Sequence, residues 1–191
     1  MSAVAEEPIP AGMAASLLPS LSTTSQLQEA ERLNIHEARI WAMHQRTLQR
    51  TDLFSVEFQR ELHRRMFRRV WRGAGDFRKT ASTQGWEPDR IEEGVRLFAD
   101  DADAWFKFST YPVHECAVRL HHRLVSVRPW GHGNGRHARL MADVAVAAHA
   151  EAPLTWGMGA PGGRTPREIY IEAIASADNG DIAALLAFAR S

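Results

Sequence analysis

Apolar residues recur every three or four positions through most of the chain, and they almost never alternate one by one. That period restricts the fold to packed helices. Between Val56 and Val70, the residues Phe58, Leu62, Met66 and Val70 follow at a spacing of four, with basic residues on the other side. Pro88 starts a helix to about Phe108 whose inner face reads Ile91, Val95, Phe98, Ala102 and Trp105. Pro112 opens another through Val125, with Val113, Cys116, Ala117, Leu120 and Leu124 apolar. A further helix begins at Asn134 or Gly135 and runs to about Ala148. Upstream, Gln26 to about Arg46 is read as helical, its inner face formed by Leu33, Ile40 and Met43 with Ala30 and Ala38. Thr165-Pro166-Arg167-Glu168 has the form of a helix start, and Asp181 begins a last short helix. The glycines and short polar residues from Arg72 to Trp86 break the period and predict a small β-hairpin flap. The expected fold is all-α with that one flap.

Residues 1–21 are rich in Pro, Ala, Ser and Gly and are expected to form a flexible or loosely docked tail, leaving 22–191 as a single domain. Apolar residues make up 45% of 191 residues, enough for a sizeable core. No apolar run approaches ~20 residues, so no membrane span is expected. The start of the chain does not have the form of a secretory signal, and with one cysteine, Cys116, read as a buried thiol, the expected location is cytoplasmic. The net charge is zero, which argues against a general affinity for nucleic acid or anionic membranes. The charge is uneven: a basic stretch runs from Arg60 to Lys79 and an acidic one from Glu87 to Asp103. They are read as solvated helix faces that partly pair.

The residues most suggestive of function are Arg128-Pro-Trp-Gly-His-Gly-Asn-Gly-Arg-His-Ala-Arg139. A helix that begins at Asn134 presents unpartnered N–H groups and the positive end of its dipole, which together attract anions. Gly133 and Gly135 allow close backbone approach. Arg136 in the first turn opposes the dipole unless an anion lies between them, and Arg139 shares its face. Two converging guanidinium groups suit a diphosphate or triphosphate.

Val127 to Arg139 resembles the signature of Fic-domain proteins, which runs His-Pro-Phe-x-(Asp/Glu)-Gly-Asn-Gly-Arg-x-x-Arg, and the chain from about Ser22 to Arg190 is similar to the subgroup known as mobile mystery protein B. The resemblance implies a helical core, a flap that aligns a target peptide, and transfer of AMP from ATP to a protein hydroxyl. It assigns ligand binding to Gly133, Asn134, Gly135, Arg136 and Arg139, and it places Trp130 beneath the loop. It also puts Arg128 where the catalytic histidine belongs and His132 where an acid helps hold Mg²⁺. Arginine stays protonated and cannot act as a base. Mg²⁺ prefers oxygen, so His132 is a poor ligand for it.

Other histidines are weaker candidates. His121 and His122 are adjacent on a helix and face apart, His137 is read as facing away from the phosphates, and no pair has the spacing of a helical metal site. Ser25-x-x-x-Glu29-Ala30 partly matches the family's inhibitory helix. Trp86 and Trp156 lie in expected loops and are read as packing residues that could also stack on a ligand.

Three readings remain open at this point. The chain is an enzyme of altered chemistry that uses Arg128 as an electrostatic clamp on a nucleotide or other phosphate ligand; or it is a non-catalytic nucleotide- or protein-binding descendant; or it retains AMP transfer with another base. The resemblance also permits a protein target or a separate antitoxin.

Overall fold

A computed structural model of the chain describes residues 7–18, 20–159 and 165–191. Its helices are α1 (Ala11–Ala14), α2 (Thr24–Ala42), α3 (Gln45–Leu48), α4 (Val56–Phe67), α5 (Ile91–Lys107), α6 (Val113–Val127), α7 (Asn134–Ala148), α8 (Pro166–Asp178) and α9 (Ala183–Arg190). The sequence supplies their starts. Thr23 caps α2 in a box with Gln26, Ser55 caps α4, and Thr165 caps α8 in a box with Glu168, with Pro166 in the first turn.

Helix α6 lies at the centre. It packs on α7, on α5 and on α9, and α2 packs across α4. The expected stripes of α4, α5 and α6 are the ones that point inward: Phe58, Leu62, Met66, Val95, Leu120 and Leu124 are all buried. Burial of each such side chain contributes roughly 1.5–3 kcal/mol. Cys116 is buried, and its thiol donates to the Tyr111 carbonyl at 3.3 Å.

Helix α2 departs from expectation. Ala38 is buried as expected and Ala30 and Met43 pack against the core, but Leu33 and Ile40 are 51% and 61% exposed, and Leu27, Glu31, Asn34 and Ala42 face inward beside Ala38. Two polar residues can face inward because each finds a distant partner. Asn34 accepts from the Arg69 amide at 3.2 Å, and Glu31 is satisfied at the site described below.

The flap also differs. Among the described residues, no strand forms between Arg72 and Trp86. Arg78 is buried, and its guanidinium donates to the carbonyls of Arg128, Thr80 and Trp86. One side chain thereby closes the segment that a cross-strand ladder would have closed. Trp86 packs on the face of α5 at Gly94 and Phe98.

Within the stretch expected to be a tail, residues 16–18 run antiparallel beside 70–72. Leu18 N–H donates to Val70 O at 2.9 Å, Arg72 N–H donates to Ser16 O at 2.8 Å, and Leu17 is buried. The arginines of α4 pair locally, Arg64 and Arg65 with Glu61 and Arg60 with Asp76, so they form no free basic wall. Among the described residues no helix is long and apolar enough to cross a membrane.

Candidate functional site

The site begins where α6 stops. Arg128 adopts the left-handed conformation (φ 51°, ψ 64°), while its N–H still closes the last turn on Leu124 O at 3.2 Å. The ring of Pro129 disfavours a helical residue before it. A left-handed arginine costs roughly 1–2 kcal/mol, and its surroundings hold it there. Arg78 donates to its carbonyl at 2.8 Å, Arg78 N–H donates to Pro129 O at 2.9 Å, and Trp86 N–H donates to Val127 O at 3.1 Å.

The loop that follows rests on an aromatic floor. Trp130 is buried, stacked on His63 at 4.2 Å between ring centroids, with the edge of His137 at 5.2 Å. Buried His63 accepts from Gly75 N–H at 3.0 Å and donates through Nε2 to His132 O at 3.1 Å, a tautomer fixed by those two partners. Burial drives its pKa well below the ordinary value, with the neighbouring His137 adding to the effect. Asn134 turns its side chain back into the loop. It accepts from Trp130 N–H at 2.9 Å and donates to Trp130 O at 2.8 Å. It serves as the clasp of the loop, so Asn134→Ala is expected to destabilise the protein by about 1–2 kcal/mol, read by thermal melting.

Helix α7 starts at Asn134, and Gly133 before it has φ 74°. The first N–H groups of α7 have no partner within the helix. A Cβ on Gly135 would meet nothing within 4 Å, so this side of the helix start is open. A cavity of about 460 Å³ opens there, lined by Arg128, residues 131–136, Arg139, Val125 and Tyr170. A second cavity of about 800 Å³ shares Val125, Arg128, Gly135, Arg139 and Tyr170 and continues over Trp156, Ile171, Ile174 and Phe188, with Gln84 and Arg167 also in its lining. The two form one cleft, cationic at the helix start and aromatic beyond it.

The cations of the loop are not equivalent. Arg136 makes a two-pronged ion pair with Glu31 of α2, at 2.7 and 2.9 Å, and Glu31 also accepts from Trp71 Nε1 at 2.7 Å. Arg139 lies over the rings of Tyr170 (4.8 Å) and Trp156 (5.6 Å), and its buried Nε has no hydrogen-bond partner among the described residues. Among those residues neither Arg128 nor Arg139 has a carboxylate partner.

His132 is half-buried, its ring stacked on Trp71 at 3.7 Å with 15° between planes. Burial lowers its pKa, against the pull of Glu31. His137 faces away from the cleft and bonds Gln59 O at 3.0 Å; burial holds its pKa at about 4. His121 and His122 do face apart. His122 pairs with Asp178, while His121 is fully buried and meets Tyr170 Oη at 3.1 Å. Burial, and then Arg139 beside it, bring His121 to about 3. Burial also raises the Tyr170 phenol.

Glu31, His63 and Tyr170 are the participants missed from sequence. Glu29, which carried the partial inhibitory match, is exposed and pairs with Arg32 on its own helix. Trp156 does line the cleft, held by Asp143, whose carboxylate accepts from its indole N–H at 2.8 Å. Among the described residues there is no cluster of His, Cys, Asp and Glu suited to a metal ion.

The profile of the Fic/DOC family matches residues 34–146, more than half of the chain and the whole of the loop. No curated protein matches the sequence. Several solved structures share the fold. Fic-1 (residues 134–508) from C. elegans superposes with a TM-score of 0.69 at 20% identity, over 93% of this chain and 51% of that one. The chain thus spans about half the length of that relative. BepC from Bartonella tribocorum, solved with bound AMPPNP, gives 0.67 at 15% identity, covering 91% of this chain and 89% of that one. The N-terminal FIC domain of Bep8 from Bartonella sp. 1-1C gives 0.70 at 14% identity, covering 92% and 90%.

Proposed function

The chain belongs to the Fic/DOC family, and from that premise we propose that it binds a phosphate-bearing, nucleotide-like ligand in the cleft at Gly133–Arg139 and acts on it without the family's usual base. One observation carries the reading: Arg128 and Arg139, both free of carboxylates among the described residues, line a cationic cavity that runs directly into an aromatic one. A ligand with an anionic head and a flat apolar body matches that division. The AMPPNP bound to BepC, which has the same fold, is a ligand of that kind.

The chemistry differs from protein AMP transfer. That reaction needs a group to take the proton of the attacking hydroxyl, ideally with a pKa near the working pH. Arg128 cannot accept a proton. His121, His137 and His63 are buried and used for internal bonds, and His132 is stacked on Trp71. What Arg128 supplies is a fixed positive charge where negative charge collects, with the α7 start behind it.

Calorimetric titration with ATP, ADP, AMP and pyrophosphate, each with and without Mg²⁺, tests the binding. Arg128→Ala and Arg139→Ala are each expected to weaken the preferred ligand roughly 10–100-fold, the scale of a charge-assisted hydrogen bond. Wild-type protein is expected to leave lysate proteins unlabelled by radioactive ATP while binding nucleotide. Labelling that survives Arg128→Ala overturns the altered-chemistry reading, and failure of every anion to bind overturns the cleft itself.

A further inference from the structure

We infer that the cleft takes its ligand as a phosphomonoester dianion, without a divalent cation, and grips the phosphate with Arg128, Arg139 and the Tyr170 hydroxyl. This rests on the binding reading above and narrows it to a charge class.

The fold family implies Mg²⁺, and the residues present do not fit it. Mg²⁺ binds through carboxylates together with substrate phosphates. No Asp or Glu lines either part of the cleft. The position expected to supply the acid holds His132, and that ring is turned against Trp71. The carboxylate that reaches the loop from α2, Glu31, is already engaged by both prongs of Arg136 and by the Trp71 indole. With no ion to neutralise it, each phosphate beyond the first adds charge that only the protein can balance.

The protein's free charge is small. Glu31 neutralises Arg136, which removes one of the guanidinium groups that would otherwise suit a diphosphate or triphosphate. At the helix start Arg128 and Arg139 remain, aided by its partial charge, while exposed Arg167 lines only the aromatic cavity. Two guanidinium groups balance the charge of approximately −2 that a phosphomonoester carries above its second pKa, ~6.

Tyr170 completes the grip. It lines both cavities and sits under the Arg139 guanidinium at 4.8 Å. Its hydroxyl lies 3.1 Å from Nε2 of the fully buried His121; with the ring proton on Nε2, the histidine donates to the hydroxyl and leaves the phenol proton for the phosphate. This polar pair ties α6 to α8, and Tyr170 is among the residues shared by the two cavities. The body is accommodated by Trp156, Ile174 and Phe188, a lining suited to a heterocycle or other ring. The class is thus a nucleoside monophosphate or another aromatic phosphomonoester.

The test is calorimetry on the full chain with adenosine, AMP, phenyl phosphate, ADP and ATP, in EDTA and again in Mg²⁺. AMP is expected to bind in EDTA at least ~10-fold more tightly than ATP in EDTA, with an affinity that Mg²⁺ leaves unchanged. Tyr170→Phe, checked for an unaltered melting curve, is expected to weaken AMP roughly 5–30-fold and leave adenosine unaffected. If ATP with Mg²⁺ binds more tightly than AMP, the charge-class inference is overturned and the cleft reading stands. If neither AMP, ADP nor ATP binds, the cleft reading itself has failed. If Tyr170→Phe binds AMP as wild type does, the hydroxyl has no part in the grip.

Discussion

Gly133→Ala is expected to lower stability by about 2–5 kcal/mol, whereas Gly135→Ala, two residues on, leaves it unchanged or slightly raised. Gly133 holds φ 74°, which an L-residue adopts at a cost of about 1–2 kcal/mol. A Cβ there would also lie 2.3 Å from Cζ of Phe67, a ring that is itself fully buried. Either the ring or the loop must move, and overpacking of that kind costs roughly 1–3 kcal/mol more. For a chain of this size the melting temperature falls by about 2–4 °C per kcal/mol, so scanning calorimetry should register a drop of some 5–20 °C. Gly135 is helical, and its Cβ would meet nothing within 4 Å. Alanine there improves helix propensity but places a methyl on the floor of the proposed phosphate site, so ligand affinity should fall at least ~5-fold while the melt holds. A Gly135→Ala protein that binds as wild type does would remove the helix start from the ligand surface. A Gly133→Ala protein that melts normally would contradict the packing of the loop on Phe67.

Glu31→Gln is the second large effect. The glutamine amide oxygen can still accept from the Trp71 indole, but the charge opposite Arg136 is gone. The carboxylate side chain is 7% exposed and Arg136 is 44% exposed, so the released guanidinium stays solvated. Loss of charge-assisted bonds at the buried end should cost about 1–3 kcal/mol. There is a functional consequence as well: a further positive charge becomes available at the helix start. Affinity for ADP and ATP relative to AMP should rise ~10-fold or more in Glu31→Gln, measured in EDTA by the same titrations. An unchanged ratio would mean that Arg136 does not face the ligand even when released.

The helices were legible where apolar spacing and caps coincide. Phe58, Leu62 and Met66 of α4 and Leu120 and Leu124 of α6 point inward as their spacing predicts. The same rule misread α2, because Leu33 and Ile40 are exposed and Glu31 and Asn34 face inward. Spacing detects apolar residues, and a polar residue that is buried through a partner 105 positions away leaves no local trace. The flap was misread for a related reason: glycines and short polar residues mark a turn, but nothing local reveals that Arg78 would satisfy three carbonyls.

The loop Gly133–Arg139 could be found from sequence, since its glycines and arginines are contiguous. Their individual roles could not. Asn134 binds the loop to itself, Gly133 makes room for Phe67, and Arg136 is paired, which leaves Gly135 and Arg139 as the cavity-lining members of the motif without such a tie among the described residues. Tyr170 lies on α8, and its link to His121 spans 49 residues, so no pattern near the loop marks it.

Helix α2 is tied at two points to residues that form or support the cleft. Glu31 grips Arg136 at the start of α7, and Arg39 pairs with Asp143 at 2.7 Å, the carboxylate that holds Trp156 at the aromatic end. Those two contacts sit about 12 Å apart along one rigid helix. The helix therefore acts as a gauge bar: a shift of α2 along its axis changes the free charge at one end and the ring position at the other in a single motion. Under the proposed binding, depth for the ring and charge for the head are set together, and a change on the exposed face of α2, at Leu33 or Ile40, is expected to alter ligand affinity without touching the ligand.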